Sequence, residues 1–106
     1  MSFLVKTEIF EKYTQLILEG ALDSATAPQF SEEVRKIIPQ KPQVLVLNVE
    51  KLDFMSSAGL RVLIFAKQKL GTTAMLFLVK PQEQLVETLK MTGLIFSVNI
   101  VDTYSE

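Results

Sequence analysis

The chain has 106 residues, of which 48% are apolar, so it can bury one modest core and is expected to form a single domain. Its eleven basic and twelve acidic side chains leave a net charge of −1, which provides no bulk attraction to nucleic acid or to an anionic membrane. Cysteine and histidine are both absent, which excludes disulfides, thiolate metal sites and a Ser-His-Asp triad.

No apolar run reaches the ~18 residues that a membrane-spanning helix needs. The chain begins with MSFLVK, which lacks the basic start and the long apolar stretch of a signal peptide. We therefore expect a cytoplasmic protein that has neither a membrane nor a nucleic-acid partner. We also expect that it holds no metal ion or other cofactor and that it is not an enzyme.

The first half of the chain predicts two strands and a helix. Residues 3–10 alternate between apolar and polar positions, and residues 13–18 form a second strand. The two are expected to pair as an antiparallel hairpin that ends at Gly20. Apolar residues then recur at helical spacing over residues 30–38, and Pro39 ends this helix.

The loop before this helix, residues 20–27, contains three candidate caps. Asp23, Ser24 and Thr26 each carry a side-chain oxygen that can accept a hydrogen bond from a helix amide. Pro28 suits the first helical turn, because its missing N–H would have no intrahelical partner there.

The middle of the chain predicts a parallel crossover. Residues 44–49 are almost continuously apolar, as expected of a central strand covered on both faces. A helical pattern follows over residues 60–70, and residues 74–79 form a second buried strand. Two such strands joined by one helix make a right-handed parallel unit.

The remaining residues complete an α/β domain. A third amphipathic helix opens at Pro81 and ends at Gly93, and residues 95–101 form the last strand. The predicted order is β-β-α-β-α-β-α-β. We expect residues 1–106 to form one domain with a mixed sheet on which the helices pack.

The junction between the central strand and its helix is the candidate functional stretch. If Ser56 is the N-cap, Met55 and Leu60 occupy the positions of a hydrophobic staple. The amides from Ser57 onward are then unpaired at the positive end of the helix dipole, where anions bind readily. If Ser57 is instead the N-cap, the same amides surround it. Arg61 follows Ser57 by one helical turn and can reach a group held there.

The residues at this junction also have plainer interpretations. Gly59 in a first helical turn costs about 1 kcal/mol against alanine, which indicates either a phosphate close to the backbone or tight packing of the helix on the sheet. The serines can be caps only, Asp23 can be a cap only, and Arg61 can be a solvated surface charge. The physics of the residues alone leaves these alternatives open.

Three motifs together resemble the STAS domain of bacterial anti-sigma factor antagonists. Residues 52–60 read LDFMSSAGL and are similar to the D-S-[SA]-G-L signature of that family. Residues 20–27 read GALDSATA and resemble its G-E-L-D-x-x-T-A loop, and residues 91–96 read MTGLIF and resemble its [MLT]-x-G-L-x-x-[IVF] stretch. The resemblance covers essentially the whole chain, with the elements in the same order.

The resemblance implies partner switching. In that family the unmodified protein binds an anti-sigma factor, which is a GHKL-type serine kinase, and so releases a sigma factor. The kinase phosphorylates the serine that directly precedes [SA]-G, here Ser57, and a PP2C-type phosphatase restores binding. The predicted partner surface comprises Asp23, Ser24, Thr26, Met55, Ser56, Gly59 and Arg61.

Two positions depart from the family pattern. Ser56 stands where the family usually has aspartate, which makes it a second candidate phosphate acceptor, and Ala21 replaces the glutamate of the loop motif.

The alternative function is a STAS accessory or scaffold module that binds a transporter or a signalling assembly without phosphorylation. An enzyme or a phosphoaspartate receiver is disfavoured, since the central strand ends at Glu50 without the acidic cluster that a receiver needs.

Overall fold

In the part of the chain that the structure describes, five strands form one sheet and follow one another in the sheet as they do in the chain. The structure is a computed structural model that describes residues 3–104. The strands are β1 (Phe3–Ile9), β2 (Thr14–Leu22), β3 (Val44–Met55), β4 (Met75–Val79) and β5 (Asn99–Val101). β1 pairs antiparallel with β2, and all other neighbours pair parallel, which confirms the predicted mixed sheet.

Each parallel pair is joined by a helix, in the predicted order. The helices are α1 (Ala27–Ile37), α2 (Ser57–Leu70) and α3 (Glu83–Thr92), with short 3-10 helices at Ile38–Gln40 and Leu94–Ser97. As predicted, Pro28 lies in the first turn of α1, and α3 ends at Gly93 in the left-handed conformation, with φ of +78°. None of the helices within residues 3–104 is both long and apolar enough to cross a membrane.

All three helices pack on the same face of the sheet. The four parallel strands advance in one direction across the sheet, and right-handed crossovers that advance in one direction place every connecting helix on one side. A single core results, in which Phe30 of α1, Leu63 of α2 and Leu89 of α3 join alternate strand residues such as Leu47 and Leu78.

The opposite face carries no helix within residues 3–104, yet the central strand is covered on both faces, as predicted. Val46 is fully buried on this face. Tyr104 packs there between Phe77 and Tyr13, with ring centroids 4.9 and 4.8 Å away, so aromatic side chains provide part of the cover. Met75, near one end of the same face, stays half exposed.

Two strands run further than their apolar patterns indicate, and one is shorter. β2 continues past Gly20, where φ is +94° and the pairing register shifts, and β3 continues past Val49 as far as Met55. The extension of β3 could not be predicted from the apolar pattern, because residues 50, 51 and 53 are polar and lie on an outer part of the sheet that is partly exposed to solvent. Conversely, Leu94–Ser97 form a 3-10 helix after Gly93, which leaves only Asn99–Val101 as the last strand.

Candidate functional site

The ends of β2 and β3 bring two of the predicted motifs together. Leu22 and Met55 are register partners in the parallel pair, and the amide of Ser56 donates to the carbonyl oxygen of Leu22 at 2.8 Å. Asp23 directly follows Leu22, and Ser57 directly follows Ser56. The loop before α1 and the first turn of α2 therefore leave the same edge of the sheet side by side.

Of the two candidate serines, Ser56 is the N-cap of α2. Its backbone is extended, with φ of −81° and ψ of 174°, and its hydroxyl accepts a hydrogen bond from the amide of Gly59 at 3.4 Å. Met55 and Leu60, the two staple positions, are both buried in the core. The cap and the buried staple positions hold the start of α2 against the sheet.

Gly59 allows α2 to pack closely on β2. A Cβ atom at this position would lie 2.7 Å from Cγ of Leu22, 2.8 Å from its Cδ2 and 3.1 Å from Cγ of Met55. Of the two interpretations of this glycine, tight helix–sheet packing is the one that the geometry supports. Gly59 and Met55 are buried, so they offer a partner no side-chain surface and instead support the residues around them.

The adjacent serines have different environments. Ser57 is the first helical residue, it is exposed, and its hydroxyl has no hydrogen-bond partner among residues 3–104. Ser56 is partly buried and its hydroxyl is taken up by the cap. Arg61 is exposed and forms no ion pair within the described chain. No acidic side chain lies in the first turn of α2, so the positive end of its dipole is not neutralised there.

Asp23 and Thr26 close the neighbouring loop through reciprocal hydrogen bonds. The Asp23 carboxylate accepts from the amides of Thr26 at 3.0 Å and Ala25 at 2.9 Å, and the Thr26 hydroxyl accepts from the Asp23 amide at 2.9 Å. The single proton of the Thr26 hydroxyl is shared between the carbonyl of Ala21 at 2.9 Å and the Asp23 carboxylate at 3.2 Å. This is the pattern of a capping box placed one turn before α1.

These hydrogen bonds favour the charged form of Asp23. The Thr26 amide contributes most to lowering the pKa of this carboxyl below its ordinary value of 3.8, with smaller contributions from the Ala25 amide and the Thr26 hydroxyl. Asp23 is thus a loop-closing residue beside α2, whereas Ser24 is exposed at the tip of the loop. Thr26, at the N-cap position of α1, does not cap that helix with its side chain.

The structure adds one residue that sequence reasoning missed. Gln84 of α3 reaches the end of β3, where its Oε1 accepts from the amide of Met55 and its Nε2 donates to the carbonyl of Met55, both at 3.2 Å. A glutamine near a helix start carries no sequence signal for such a contact, because the contact depends on where α3 packs. Among residues 3–104, no cluster of three or more acidic side chains is placed to hold a metal ion.

The family model described as STAS domain matches residues 5–106. The chain belongs to this family. It is 34% identical over 77 residues to a protein of Bordetella bronchiseptica named putative anti-sigma factor antagonist BtrV, a match that covers 72% of this chain and 66% of that protein. It is 29% identical over 56 residues to the anti-sigma-F factor antagonist RsfB of Mycobacterium tuberculosis, covering 53% and 46%. This STAS chain thus aligns with about half to two thirds of the length of these relatives.

Solved structures of similar shape confirm the STAS fold. An anti-sigma factor antagonist from Mycobacterium paratuberculosis superposes with a TM-score of 0.86 at 22% identity, covering 96% of this chain and 87% of that one. The unphosphorylated form of the anti-sigma factor antagonist SpoIIAA superposes with a TM-score of 0.75 at 19% identity, covering 97% and 90%. At such identities the likeness concerns the fold alone.

Proposed function

We propose that this STAS domain is an anti-sigma factor antagonist whose binding surface is switched by phosphorylation of Ser57. The unmodified form binds an anti-sigma factor that is also a GHKL-type serine kinase, and so releases a sigma factor. Phosphorylation ends this binding, and a PP2C-type phosphatase restores it. The proposal describes a regulatory binding protein and assigns no catalytic residue. The names of the two curated relatives support the class of function.

The observation that carries the choice of residue is the contrast between the two serines. A kinase needs an accessible hydroxyl, and Ser57 offers one that is exposed at the start of α2. The Ser56 hydroxyl is partly buried and accepts the capping hydrogen bond from Gly59. Ser56 therefore caps α2, and we assign the phosphorylation to Ser57.

A phosphate on Ser57 would suit the helix start that carries it. It adds about −1.5 to −2 units of charge, and negative charge is stabilised at the N-terminus of a helix. The first turn of α2 contains no acidic side chain that would repel the phosphate, and Arg61 is exposed one turn further on. We therefore expect phosphorylation to leave the domain folded and to act on the partner through charge and bulk.

The partner surface is centred on the edge where β2 and β3 end. Ser57 and Arg61 supply its exposed side chains from α2, and Ser24 supplies one from the neighbouring loop. Asp23 and Thr26 hold that loop closed through their reciprocal hydrogen bonds. A rigid loop beside an exposed serine gives a partner two adjacent points of contact on one side of the domain.

The experiment uses the protein as bait in its native cell. Wild type and Ser57→Ala should both retain an anti-sigma factor, Ser57→Asp should lose it, and the Tm of all three should stay within a few degrees. Mass spectrometry should place phosphate on Ser57, and Ser56→Ala should not remove it. Retention of the same partner by Ser57→Asp would overturn the switch.

The same experiment separates the alternative, a STAS accessory or scaffold module that binds without modification. Absence of phosphate from both Ser57 and Ser56 under every growth condition, with partners retained by all variants, would favour that module over the phosphorylation switch.

A further inference from the structure

The outer part of β3 extends beyond the strand that flanks it. β4 pairs with Val44–Asn48 only, whereas β3 continues to Met55, where Ser56 begins the cap of α2. On the β4 side, no strand within residues 3–104 therefore supplies hydrogen bonds to the backbone of this extension. Backbone groups in that position require other partners.

Two glutamine side chains at the start of α3 take the place of the missing strand. Gln82 donates through Nε2 to the carbonyl of Glu50 at 3.2 Å. Gln84 binds both the amide and the carbonyl of Met55 at 3.2 Å. A primary amide offers a donor and an acceptor side by side, so one side chain can satisfy both groups of one residue.

Gln84 is itself held in orientation by Thr88. The second proton of Nε2 is donated to the Thr88 hydroxyl at 3.2 Å, and that hydroxyl donates to the carbonyl of Gln84 at 3.0 Å. Because Nε2 must face both Thr88 and the Met55 carbonyl, Oε1 is left facing the Met55 amide. The Gln84 amide is thus fixed on both sides.

We propose that Gln84 is a positioning residue for Ser57. Met55 is the last residue of β3, and the next residue along is the N-cap of α2. Cγ of Met55 lies 3.1 Å from the position that a Cβ atom would take at Gly59. Gln84 fixes the backbone at the point from which Ser56 and Ser57 leave the sheet, and so couples α3 to the presentation of the serine. We call the two hydrogen bonds between Gln84 and the Met55 backbone the clamp. The role of Ser57 as the residue that is positioned rests on the proposed function, whereas the clamp does not.

The clamp is tested on the isolated protein by NMR. Gln84→Met keeps the side-chain length and removes both hydrogen-bonding groups, and Gln68→Met is the matched control on an exposed part of α2. In Gln84→Met we expect the exchange protection of the Met55 amide to fall about tenfold, because it loses its hydrogen-bond acceptor. The urea midpoint should stay near wild type in Gln68→Met and fall in Gln84→Met, because the lost hydrogen bonds to part-buried backbone groups are destabilising. The loss of protection at Met55 is therefore compared with that of amides in the core strands. Unchanged protection in Gln84→Met would overturn the clamp.

A pH profile distinguishes the clamp from a merely structural role. In Gln84→Glu the ionised carboxylate can accept from the Met55 amide but cannot donate to its carbonyl, whereas the protonated carboxyl can do both. The Met55 carbonyl therefore lacks its donor while Glu at position 84 is ionised, and its carbon-13 chemical shift should return toward the wild-type value as pH falls through the titration of that Glu. A flat profile, equal to that of Gln84→Met, would contradict the proposal.

The consequence for binding is measured with the anti-sigma factor that wild-type bait retains. We expect Gln84→Met to weaken binding about tenfold and Gln68→Met to leave it unchanged, because a loosened strand end no longer holds Ser57 ready for the partner. Equal affinity of Gln84→Met and wild type, with a loosened Met55 amide, would overturn the positioning role. If Ser57→Asp binds as wild type does, the proposed function fails, and the NMR result still decides on the clamp.

Discussion

Gly59 and Leu22 pack so closely that a single added carbon at Gly59 would lie 2.7 Å from Cγ of Leu22. Leu22 is fully buried, so its side chain has little room to move away. This contact joins the first turn of α2 to the end of β2, and thereby to the loop that begins at Asp23. Because Gly59 has no side chain, the first turn of α2 can lie close to the loop that begins at Asp23.

Gly59→Ala is expected to destabilise the protein in spite of the better helix propensity of alanine. The gain in propensity is about 1 kcal/mol, and overpacking a dense core costs about 1–3 kcal/mol, so we expect a net loss of up to about 2 kcal/mol. Urea denaturation measures it. In a double-mutant cycle with Leu22→Ala, the two losses should not add, because the smaller side chain leaves room for the new methyl group. If the losses of stability in Gly59→Ala and Leu22→Ala were strictly additive, the contact with Leu22 would not be the cause of the loss in Gly59→Ala.

The two serines are expected to respond differently to substitution. Ser56→Ala removes the cap of α2 and should cost about 0.5–1 kcal/mol, at the lower end of the usual range because the capping bond is 3.4 Å long. Ser57→Asp places a negative charge at the helix start and should be neutral or stabilising by about 0.5 kcal/mol. Urea midpoints of both variants measure these effects, with Ser57→Ala as the control. A greater loss in Ser57→Asp than in Ser56→Ala would reverse the assigned roles.

Asp23 should make the stability of the domain sensitive to acid. The pKa of Asp23 in the folded state is lowered, chiefly by the hydrogen bond from the Thr26 amide. The ionised carboxylate therefore stabilises the folded state at pH values above its ordinary pKa of 3.8, and this stabilisation is lost as pH falls through the lower folded-state pKa. In Thr26→Val the hydroxyl is lost while the amide remains, so the pKa of Asp23 should rise part of the way toward its ordinary value. NMR titration of the Asp23 carboxyl measures the shift.

The control for this titration is Thr26→Ser, which keeps the hydroxyl. The pKa of Asp23 in Thr26→Ser should stay close to that in wild type. A pKa of Asp23 that is the same in Thr26→Val, Thr26→Ser and wild type would mean that the hydroxyl plays no part in stabilising the carboxylate.

Features with a local cause could be predicted from the sequence. The cap at Ser56, the end of α3 at Gly93 and the position of Pro28 each follow from the conformational preference of one residue and its neighbours. The order of strands and helices follows from apolar periodicity. The element order and the family motifs together also sufficed to place Ser57 at a helix start.

Features that depend on distant neighbours could not be predicted. The extension of β3 through Asp53 to Met55 contains polar residues and exists because β2 pairs with it. The contact between Gln84 and Met55 spans 29 positions of the chain and follows only from the docking of α3. The apolar patterns also did not specify on which face of the sheet the helices lie, because this follows from the order of the strands and not from the composition of any one of them.

The order of the strands also bears on how the domain can assemble. Since neighbours in the sheet are neighbours in the chain, each strand can be added to the edge left by the one before it, and no strand has to enter between two that are already paired. Compared with a sheet in which neighbours are far apart in the chain, this order shortens the loops that strand pairing has to close, which favours faster folding. The loop at Asp23 and the start of α2 can thus meet once β3 has joined β2, whereas Gln84 arrives later in the chain and holds a strand end that is already in place.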